Sequence, residues 1–247
     1  MDKFGLLGYP LGHSFSKKYF LDKFEKEGID AGFENFELET ASDMEGLILG
    51  MPELKGFAIT IPHKQSVIAL LDETDDAIEA IGAVNCVKVE RSPARISLKG
   101  YNTDVIGFEE SFKEFLKPSH KNALILGTGG ASKAVEYVLG RLGITYEMVS
   151  RTKSETTLCY DDITEDKLAD IQVIVNTTPL GMYPKVDTCP ALPYEGLGAD
   201  HYCYDLVYNP LETLFLSKAK AQGAAIKSGM DMLELQAEAN WRIWNEE

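Results

Sequence analysis

The amino-acid sequence predicts an α/β protein of two domains. Short apolar runs that suit buried strands alternate with segments whose apolar residues recur at helical spacing. The clearest example, residues 122–151, reads as a strand, a glycine-rich turn, a helix and a second strand. A length of 247 residues fits one large or two small domains, and the hydrophobic fraction of 45% is ordinary for a globular chain.

Composition argues against several classes of function. The sequence has no apolar run of membrane-spanning length, and its first residues lack the long apolar region of a signal peptide. A net charge of −15 argues against nucleic acids and anionic membranes as partners. The four cysteines are scattered without a C-x-x-C pair, which indicates reduced thiols rather than disulfides or a zinc site. We therefore expect a cytoplasmic monomer or homodimer without a metal, whose partner is a small molecule.

The first hundred residues predict one α/β domain. A strand at 3–8 leads through a turn to a helix at 17–27 that Gly28 ends, and either Ser14 or Ser16 could simply cap that helix. The elements predicted next are a strand at 33–38, a helix at 43–51, a strand at 56–61, a helix at 72–81, strands at 82–89 and 95–99, and a helix that opens within 100–104 and ends near 116.

Lys64 follows the predicted strand at 56–61 in an unusual setting. Pro62 is placed to open a helix, which would put Lys64 in the first helical turn. The helix dipole disfavours a cation there, and an amine in that position exchanges protons more readily near neutral pH. The alternative is an ordinary surface lysine. His63 has no partner in the sequence pattern, so we expect a structural role for it.

The glycine-rich turn at 127–132 is typical of a phosphate-binding loop. Gly127 permits a tight turn off the strand, and Gly129 has no side chain where the backbone must approach a pyrophosphate. The helix that follows offers free N–H groups at its positive end. Ser132 occupies the place of the third glycine in the dinucleotide-binding fingerprint. The pattern predicts a Rossmann-type dinucleotide-binding domain, against the alternative of a glycine-rich turn without a ligand.

The end of the next strand distinguishes between cofactors. Enzymes that prefer NAD place Asp or Glu there to bind the ribose 2′-hydroxyl. Here the chain has Ser150, Arg151, Thr152 and Lys153, two cations and two hydroxyls that suit a 2′-phosphate. A basic cluster at this position of an acidic chain favours NADP(H), with a solvated basic turn as the alternative.

The remaining sequence completes the second domain. It predicts a strand at 171–175, loops at 176–182 and 184–198, a strand at 202–207, a helix at 212–222, a strand at 224–227 and a helix at 231–244. We expect residues 1–103 to form the first domain, 104–228 the second, and the closing helix within 229–247 to return to the first. A ligand would then bind in a cleft between the two domains.

Eight segments match one family in order and spacing. They are H-S-F-S (13–16), T-I-P-H-K (60–64), G-A-V-N (82–85), N-T-D (102–104), G-T-G-G-A-S-K (127–133), S-R-T (150–152), N-T-T-P-L-G-M (176–182) and D-L-V-Y-N-P (205–210). On these residues the chain resembles the shikimate dehydrogenase family over essentially its whole length. The resemblance implies reversible, NADPH-dependent reduction of 3-dehydroshikimate to shikimate in aromatic amino acid (chorismate) biosynthesis. It also implies that the first domain is the substrate-binding and catalytic domain and the second the NADP-binding domain.

The resemblance implies a role for each matched position. The catalytic pair at the reacting oxygen would be Lys64 and Asp104. Substrate contacts are implied for Ser14 and Ser16 at the carboxylate, for Thr60, Asn85 and Gln236 at the carboxylate or ring hydroxyls, and for Tyr208 in the pocket wall. The implied cofactor residues are Gly127, Thr128, Gly129, Gly130 and Ala131 at the pyrophosphate, Ser150, Arg151, Thr152 and Lys153 at the 2′-phosphate, and Thr177, Thr178, Leu206 and Gly229 at the ribose and nicotinamide.

Departures from the family pattern leave specificity open. Ala58 stands where the family usually has Asn, and Glu155 stands where a second arginine is often found, so that phosphate binding would depend on Lys153. The segment after Arg151 is also short, which indicates a trimmed nucleotide domain. The closest alternative is a quinate/shikimate dehydrogenase of dual substrate or cofactor specificity. More distant alternatives are a methylenetetrahydrofolate dehydrogenase, against which the N-T-D and H-S-F-S motifs argue, and a non-catalytic NADP-sensing module.

Overall fold

A computed structural model describes residues 1–12 and 14–246. His13, the first residue of the H-S-F-S motif, and Glu247 lie outside the described residues. The strands are β1 Asp2–Gly8, β2 Ala31–Glu37, β3 Leu54–Ile59, β4 Glu73–Thr74, β5 Cys86–Arg91, β6 Ile96–Tyr101, β7 Asn122–Leu126, β8 Thr145–Ser150, β9 Thr157–Cys159, β10 Val173–Asn176, β11 Tyr202–Asp205 and β12 Ala225–Ser228. The α-helices are α1 Phe15–Glu27, α2 Met44–Gly50, α3 Asp76–Ile81, α4 Thr103–Phe112, α5 Gly130–Arg141, α6 Glu165–Ala169, α7 Leu214–Ala221 and α8 Met230–Asn245.

The first sheet is mixed, with the strand order β2-β1-β3-β5-β6-β4. Strands β2, β1 and β3 are parallel, whereas β5 runs antiparallel to both β3 and β6. The carboxyl ends of β1, β3 and β6 therefore meet the amino end of β5 at one edge of the sheet. Register places Leu7 opposite Ile59, Ala58 opposite Cys86, and Cys86 opposite Tyr101 along that edge.

The end of α8 covers one face of this sheet. A Cβ at Gly56 would lie 2.2 Å from Cδ1 of Trp244, so only glycine lets the indole lie flat on β3. The indole nitrogen donates to the carbonyl oxygen of Val87 at 3.0 Å. Ala58 lies buried in the same cluster, where an apolar residue packs well. The departure from the family's Asn at this position is therefore accommodated by the core.

The second sheet is entirely parallel, with the order β12-β11-β10-β7-β8-β9. Numbered from β7 as the first strand, this is the 6-5-4-1-2-3 arrangement of a Rossmann fold. Its central strands β7, β10 and β11 are short and almost fully buried because both faces of the sheet are covered there, and Leu124, Val149, Ile174 and Cys203 all belong to one core cluster. The strand order reverses between β7 and β10, where such sheets bind their ligands. The predicted α/β class with a dinucleotide-binding domain is confirmed.

The chain divides into two compact units. The first contains Met1–Thr103 together with the chain from Ala237 onward, and the second contains Asp104–Gln236. The predicted closing segment began at 229, whereas the first half of α8 belongs to the second unit. Helix α8 therefore contributes to both units.

Two predicted elements of the first unit begin later in the sequence than predicted. The helix predicted at 72–81 begins only at Asp76, because Asp75 caps it by accepting from the backbone N–H of Ile78 and Glu73–Thr74 pairs with β6. The predicted strand at 82–89 begins only at Cys86, after Gly82 has ended α3 in the left-handed region with φ of 69°. The four cysteine thiols are unpaired, as the sequence predicts. Across residues 1–12 and 14–246, no helix is both long and apolar enough to cross a membrane.

Candidate active site

The shared edge of the first sheet carries two of the predicted substrate residues, Thr60 and Asn85. Thr60 follows β3 directly, Asn85 precedes β5, and Asn102 follows β6. Gly8 ends β1, and a Cβ there would lie 2.5 Å from Cγ2 of Thr60. The close approach of β1 and β3 at this edge therefore requires glycine.

Hydrogen bonds join three of the motifs at that edge. The backbone N–H of Val84 donates to the carbonyl oxygen of Lys64 at 2.8 Å, and the side-chain amide of Asn102 donates to the carbonyl oxygen of Ala83 at 2.8 Å. The backbone N–H of Thr103 donates to Oδ1 of Asn85 at 2.7 Å. The T-I-P-H-K, G-A-V-N and N-T-D segments thus form one hydrogen-bonded frame within the first unit, and Asp104 follows that frame by one peptide bond.

The prediction that Pro62 opens a helix is wrong. Residues 61–67 form turns, and only a short 3-10 helix follows at Ile68–Leu70. The carbonyl oxygen of Lys64 accepts from Val84, while the N–H of Ile68 donates to Gln65 at 3.2 Å, so the helical i to i+4 bond at Lys64 is replaced. Lys64 therefore lies in a turn, where no helix dipole acts on its ammonium.

His63 has the structural role that the sequence predicts. Its side chain is buried, with Nε2 at 2.6 Å from the carbonyl oxygen of Leu38. This contact holds the turn that carries Lys64 against the end of β2, so the backbone around Lys64 is held on both sides.

One of the two predicted substrate serines is also a helix cap. The hydroxyl of Ser14 accepts from the backbone N–H of Lys17 at 3.2 Å, and α1 begins at Phe15 rather than at Lys17. Ser16 therefore lies in the first helical turn, half-buried. Gly28 ends the helix in the left-handed region, as predicted.

The glycine-rich loop between β7 and α5 has room for a phosphate. Gly127 has φ of +106°, and a Cβ there would lie 2.8 Å from Oγ1 of Thr177. A Cβ built at Gly129 or Gly130 meets nothing within 4 Å, so the loop backbone faces open space. Gly129 caps α5, whose first N–H groups suit an anion. The predicted pyrophosphate loop, Gly127 to Ala131, therefore leaves open space in front of the start of α5.

Ser132 is compatible with that loop although it replaces the third glycine. Its side chain is buried, and its hydroxyl lies 2.8 Å from the carbonyl oxygen of Gly129 and 3.0 Å from Oε1 of Glu136. The side chain points into the domain, so it closes the first turn of α5.

The predicted nicotinamide loop rests on a buried asparagine. The hydroxyl of Thr177 donates to the carbonyl oxygen of Leu126 at 2.8 Å, which ties the loop to the end of β7. The N–H and hydroxyl of Thr178 both donate to Oδ1 of Asn176, at 3.1 and 2.7 Å. Asn176 is fully buried at the end of β10.

Asp205 holds that asparagine from the next strand. Its Oδ1 accepts from Nδ2 of Asn176 at 2.9 Å and from the N–H of Val207 at 3.0 Å, and its Oδ2 accepts from the hydroxyl of Thr213 at 2.6 Å. Thr213 also caps α7 by accepting from the N–H of Leu216. Burial raises the pKa of Asp205 to about 6, although all three hydrogen bonds favour the carboxylate. The sequence alone indicates no role for Asn176, Asp205 or Thr213, although the first two lie in matched motifs.

Two other predicted cofactor residues touch each other. A Cβ at Gly229 would lie 2.1 Å from the carbonyl oxygen of Leu206, and the N–H of Gly229 donates to Val207 at 3.1 Å. Tyr208, a predicted substrate residue, is 38% exposed two residues after Leu206. The loop after β11 and the start of α8 are therefore in van der Waals contact.

Asp104 and Gln236 lie on helices that pack together. Gly107, one turn after Asp104 on α4, lets the backbone of α8 approach, because a Cβ there would lie 2.4 Å from the carbonyl oxygen of Met232 and 3.1 Å from Cβ of Gln236. The Gln236 side chain is buried and donates to the carbonyl oxygen of Leu233 at 3.0 Å.

The predicted 2′-phosphate loop is held by an internal ion pair. The hydroxyl of Ser150 donates to the carbonyl oxygen of Thr152, which shapes the turn, and Arg151 is exposed. Nζ of Lys153 lies 2.8 Å from Oδ1 of Asp162. The Lys153 ammonium is the main reason that the pKa of Asp162 falls to about 2, so this carboxylate is ionised at all working pH values.

Comparison with known proteins identifies the family. Residues 6–87 match the model of the shikimate dehydrogenase substrate binding domain, a range that contains Ser14, Thr60, Lys64 and Asn85. A shikimate dehydrogenase (NADP(+)) from Caldanaerobacter subterraneus subsp. tengcongensis is 36% identical over 99% of this chain and 91% of its own length. The chain belongs to the shikimate dehydrogenase family.

Solved structures of the family share the whole fold. Shikimate 5-dehydrogenase from Thermus thermophilus, solved in complex with NADP(H) and shikimate, superposes with a TM-score of 0.83 and 30% identity, covering 99% of this chain and 94% of that one. Quinate dehydrogenase from Corynebacterium glutamicum, in complex with NAD, superposes with a TM-score of 0.85 and 27% identity over 99% and 93%. Solved structures with this fold thus include a shikimate dehydrogenase with NADP(H) and shikimate bound and a quinate dehydrogenase with NAD bound.

Proposed function

We propose that the protein catalyses the reversible, NADPH-dependent reduction of 3-dehydroshikimate to shikimate in aromatic amino acid (chorismate) biosynthesis. The observation that carries the proposal is the frame of backbone and side-chain hydrogen bonds that joins the Lys64, Asn85 and Thr103 segments. These segments are the T-I-P-H-K, G-A-V-N and N-T-D motifs, whose combination is specific to the family. A chain that kept only a nucleotide-binding function would have no need of that frame.

The two sheets belong to domains to which we assign different functions. We assign substrate binding and catalysis to residues 1–103 with the closing helix, and NADP(H) binding to residues 104–228. Support comes from the match of residues 6–87 to the substrate binding domain and from the Rossmann strand order of the second sheet. NADPH supplies the hydride when it is bound. Its pyrophosphate would be held by Gly127 to Ala131, its 2′-phosphate by Ser150 to Lys153, and its ribose and nicotinamide by Thr177, Thr178, Leu206 and Gly229.

The chain's own chemistry is the delivery of a proton. As the C3 carbonyl of the substrate becomes an alkoxide, a donor must meet its oxygen, and we assign that donor to Lys64. We assign Asp104 as the carboxylate that orients and stabilises the ammonium. In a second version of the same mechanism, Lys64 mainly stabilises the developing negative charge.

Substrate contacts are assigned to polar side chains at the sheet edge and to two residues of the second unit. They are Ser14, Ser16, Thr60, Asn85, Tyr208 and Gln236. Oδ1 of Asn85 already accepts from Thr103, so its substrate contact would be made by the amide nitrogen. The hydroxyl of Ser14 accepts from Lys17, and its proton would serve the substrate carboxylate.

The test is turnover of shikimate and quinate, each with NADP⁺ and with NAD⁺, followed by nicotinamide absorbance. We expect turnover with shikimate and NADP⁺. Lys64→Ala is expected to lower kcat by about 10²- to 10⁴-fold, the usual contribution of a positioned proton donor. Asp104→Asn is expected to lower kcat as well. Lys55→Ala, which removes an exposed lysine of β3, is the matched control. Near-normal turnover by Lys64→Ala would exclude both versions of the mechanism.

A dual quinate/shikimate or dual-cofactor enzyme is the second candidate. It is favoured by the Lys153–Asp162 ion pair, which engages the cation that would replace the family's second arginine. The likeness to an NAD-bound quinate dehydrogenase points the same way. Comparable rates with quinate or with NAD⁺ would establish this candidate.

We place the enzyme in the cytoplasm, as a monomer or homodimer. The support is chemical, since four unpaired thiols suit a reducing compartment. The strongly acidic composition gives nucleic acids little basic surface to bind.

A further inference from the structure

Asp162 is fixed beside the predicted 2′-phosphate loop. Its Oδ2 accepts from the backbone N–H of Cys159 at 2.9 Å and from the Cys159 thiol at 3.2 Å. Its Oδ1 faces Nζ of Lys153 at 2.8 Å. One carboxylate oxygen therefore closes the first turn of a 3-10 helix, Tyr160–Asp162, and the other binds the lysine.

The backbone keeps these groups together. Strand β9 pairs in parallel with β8, with Cys159 opposite Ser150. The turn that contains Asp162 thus begins beside the strand end from which Arg151 and Lys153 leave. Residues 150–162 carry two cations against three carboxylates, so the predicted phosphate loop is not a net positive surface.

We propose that Asp162 is a specificity-determining residue that limits the preference of this enzyme for NADP(H) over NAD(H), because it holds the ammonium of Lys153. The proposal rests on the proposed function, in which residues 150–153 bind the 2′-phosphate. An incoming phosphate must share Lys153 with a carboxylate that is ionised at neutral pH and anchored by Cys159. The binding of an adenosine nucleotide without the 2′-phosphate does not depend on Lys153, so Asp162 should not change its affinity.

The direct test is equilibrium binding of adenosine 2′,5′-bisphosphate and of 5′-AMP, measured by calorimetry without any turnover. Asp162→Asn keeps an oxygen for the Cys159 N–H and removes the charge. We expect it to tighten bisphosphate binding about twofold to fivefold, the range that fits a single exposed ion pair, and to leave 5′-AMP binding unchanged. The gain should shrink as salt concentration rises.

Asp161→Asn is the matched control. Asp161 is the exposed neighbour on the same 3-10 helix, so this variant changes the net charge equally without touching the Lys153 contact. A tightening of the same size in Asp161→Asn would overturn the proposal, because the effect would then be one of overall charge. Bisphosphate binding in Asp162→Asn that equals or falls below the wild-type value would also overturn it.

A double-mutant cycle locates the effect at the lysine. In a Lys153→Ala background, Asp162→Asn should no longer tighten bisphosphate binding, and persistence of the gain would contradict the mechanism. Asp162→Ser, which keeps a small acceptor for Cys159, is the second variant if the amide disturbs the turn. In that case both Asp162 variants must bind the bisphosphate more tightly than Asp161→Asn does, with the proteins compared at temperatures equally far below their melting temperatures.

Failure of the proposed function gives a different result. If the wild-type protein bound neither nucleotide, or bound both and turned over no ring acid, the assignment of the enzyme would fail. If it bound the bisphosphate and oxidised shikimate while Asp162→Asn matched wild type, only the role of Asp162 would fail. The ratio of kcat/KM for NADP⁺ to kcat/KM for NAD⁺, compared between wild type and Asp162→Asn, provides a second measurement of the change in cofactor preference.

Discussion

Oδ1 of Asn85 accepts the backbone N–H of Thr103 at 2.7 Å, in the interior of the first unit. The Thr103 hydroxyl also lies 2.7 Å from Oδ1 of Asn240, a residue of α8. All three side chains are buried. The first residue of α4 is thus held by the G-A-V-N turn on one side and by the closing helix on the other, which fixes where the next residue, Asp104, leaves the frame.

Loss of the Thr103 hydroxyl should therefore weaken both the fold and the reaction. We expect Thr103→Val, which keeps the shape, to lower the free energy of unfolding by about 1–3 kcal/mol, because the buried hydrogen bond from the Thr103 hydroxyl to Oδ1 of Asn240 is lost. Thr103→Ser should retain most of the stability. Urea unfolding measures the first effect, and kcat with an unchanged KM for cofactor measures displacement of Asp104. A Thr103→Val protein as stable and as active as wild type would contradict this role.

For Gly129 in the glycine-rich loop we predict the opposite, a loss of cofactor binding without a loss of stability. Gly129 has φ of −83°, which any residue adopts, and a Cβ there meets nothing within 4 Å. Gly129→Ala should fold normally, yet its methyl group would occupy the space in front of the loop, so we expect KM for NADP⁺ to rise by about tenfold or more.

Gly140→Ala is the matched control for that change. Gly140 lies in α5 with open space around it, so alanine there should raise the free energy of unfolding by about 0.5–1 kcal/mol and leave KM unaltered. Equal KM values for the two variants and wild type would show that the cofactor does not approach Gly129.

The fold was largely predictable because its signals are local. The strand, glycine turn and helix at 122–141 follow from apolar spacing and glycine placement, and the buried central strands β7 and β10 follow from short apolar runs. The failures come from long-range contacts that local signals do not record. Pro62 has a sequence suited to a helix start, but the long-range bond from Val84 to Lys64 takes the carbonyl that a helix would use. No pattern near Pro62 records that contact.

The candidate site was predictable only as a set of motifs. The glycine-rich pattern predicts a role for Gly127 and the family resemblance implies roles for Thr177 and Thr178, but neither indicates the polar network beneath them. Asn176 and Asp205 lie 29 residues apart, and their contact depends on the pairing of β10 with β11. The Lys153–Asp162 pair likewise depends on β9 lying beside β8. Side-chain partners that are set by sheet register are not visible in a single sequence.

Removal of the Asp205 carboxylate should release the predicted nicotinamide loop. Asp205→Ala leaves the donors of Asn176, Val207 and Thr213 without this acceptor, and we expect a loss of about 2–5 kcal/mol in the free energy of unfolding. Asp205→Asn keeps an acceptor for Asn176 and Val207 and should cost less. KM for NADP⁺ should rise more in the alanine variant than in the asparagine variant, since Thr178 is held through Asn176. Equal KM values for the alanine and asparagine variants would show that this hydrogen-bond network does not affect cofactor binding.

The titration of Asp205 should appear as a pH-dependent loss of stability. Burial raises its pKa to about 6 in the folded protein, from 3.8 in an exposed aspartate, so the folded state binds the proton more tightly than the unfolded state. The contribution is then greatest below pH 3.8, declines as the pH rises towards 6 and stays constant above that. Measured as the difference in unfolding free energy between wild type and Asp205→Asn, it should fall by about 2–3 kcal/mol between roughly pH 4 and pH 7. Taking the difference from Asp205→Asn removes the contribution of the other carboxylates to the pH dependence. A difference that is flat or rises over this range would show that Asp205 has an ordinary or lowered pKa.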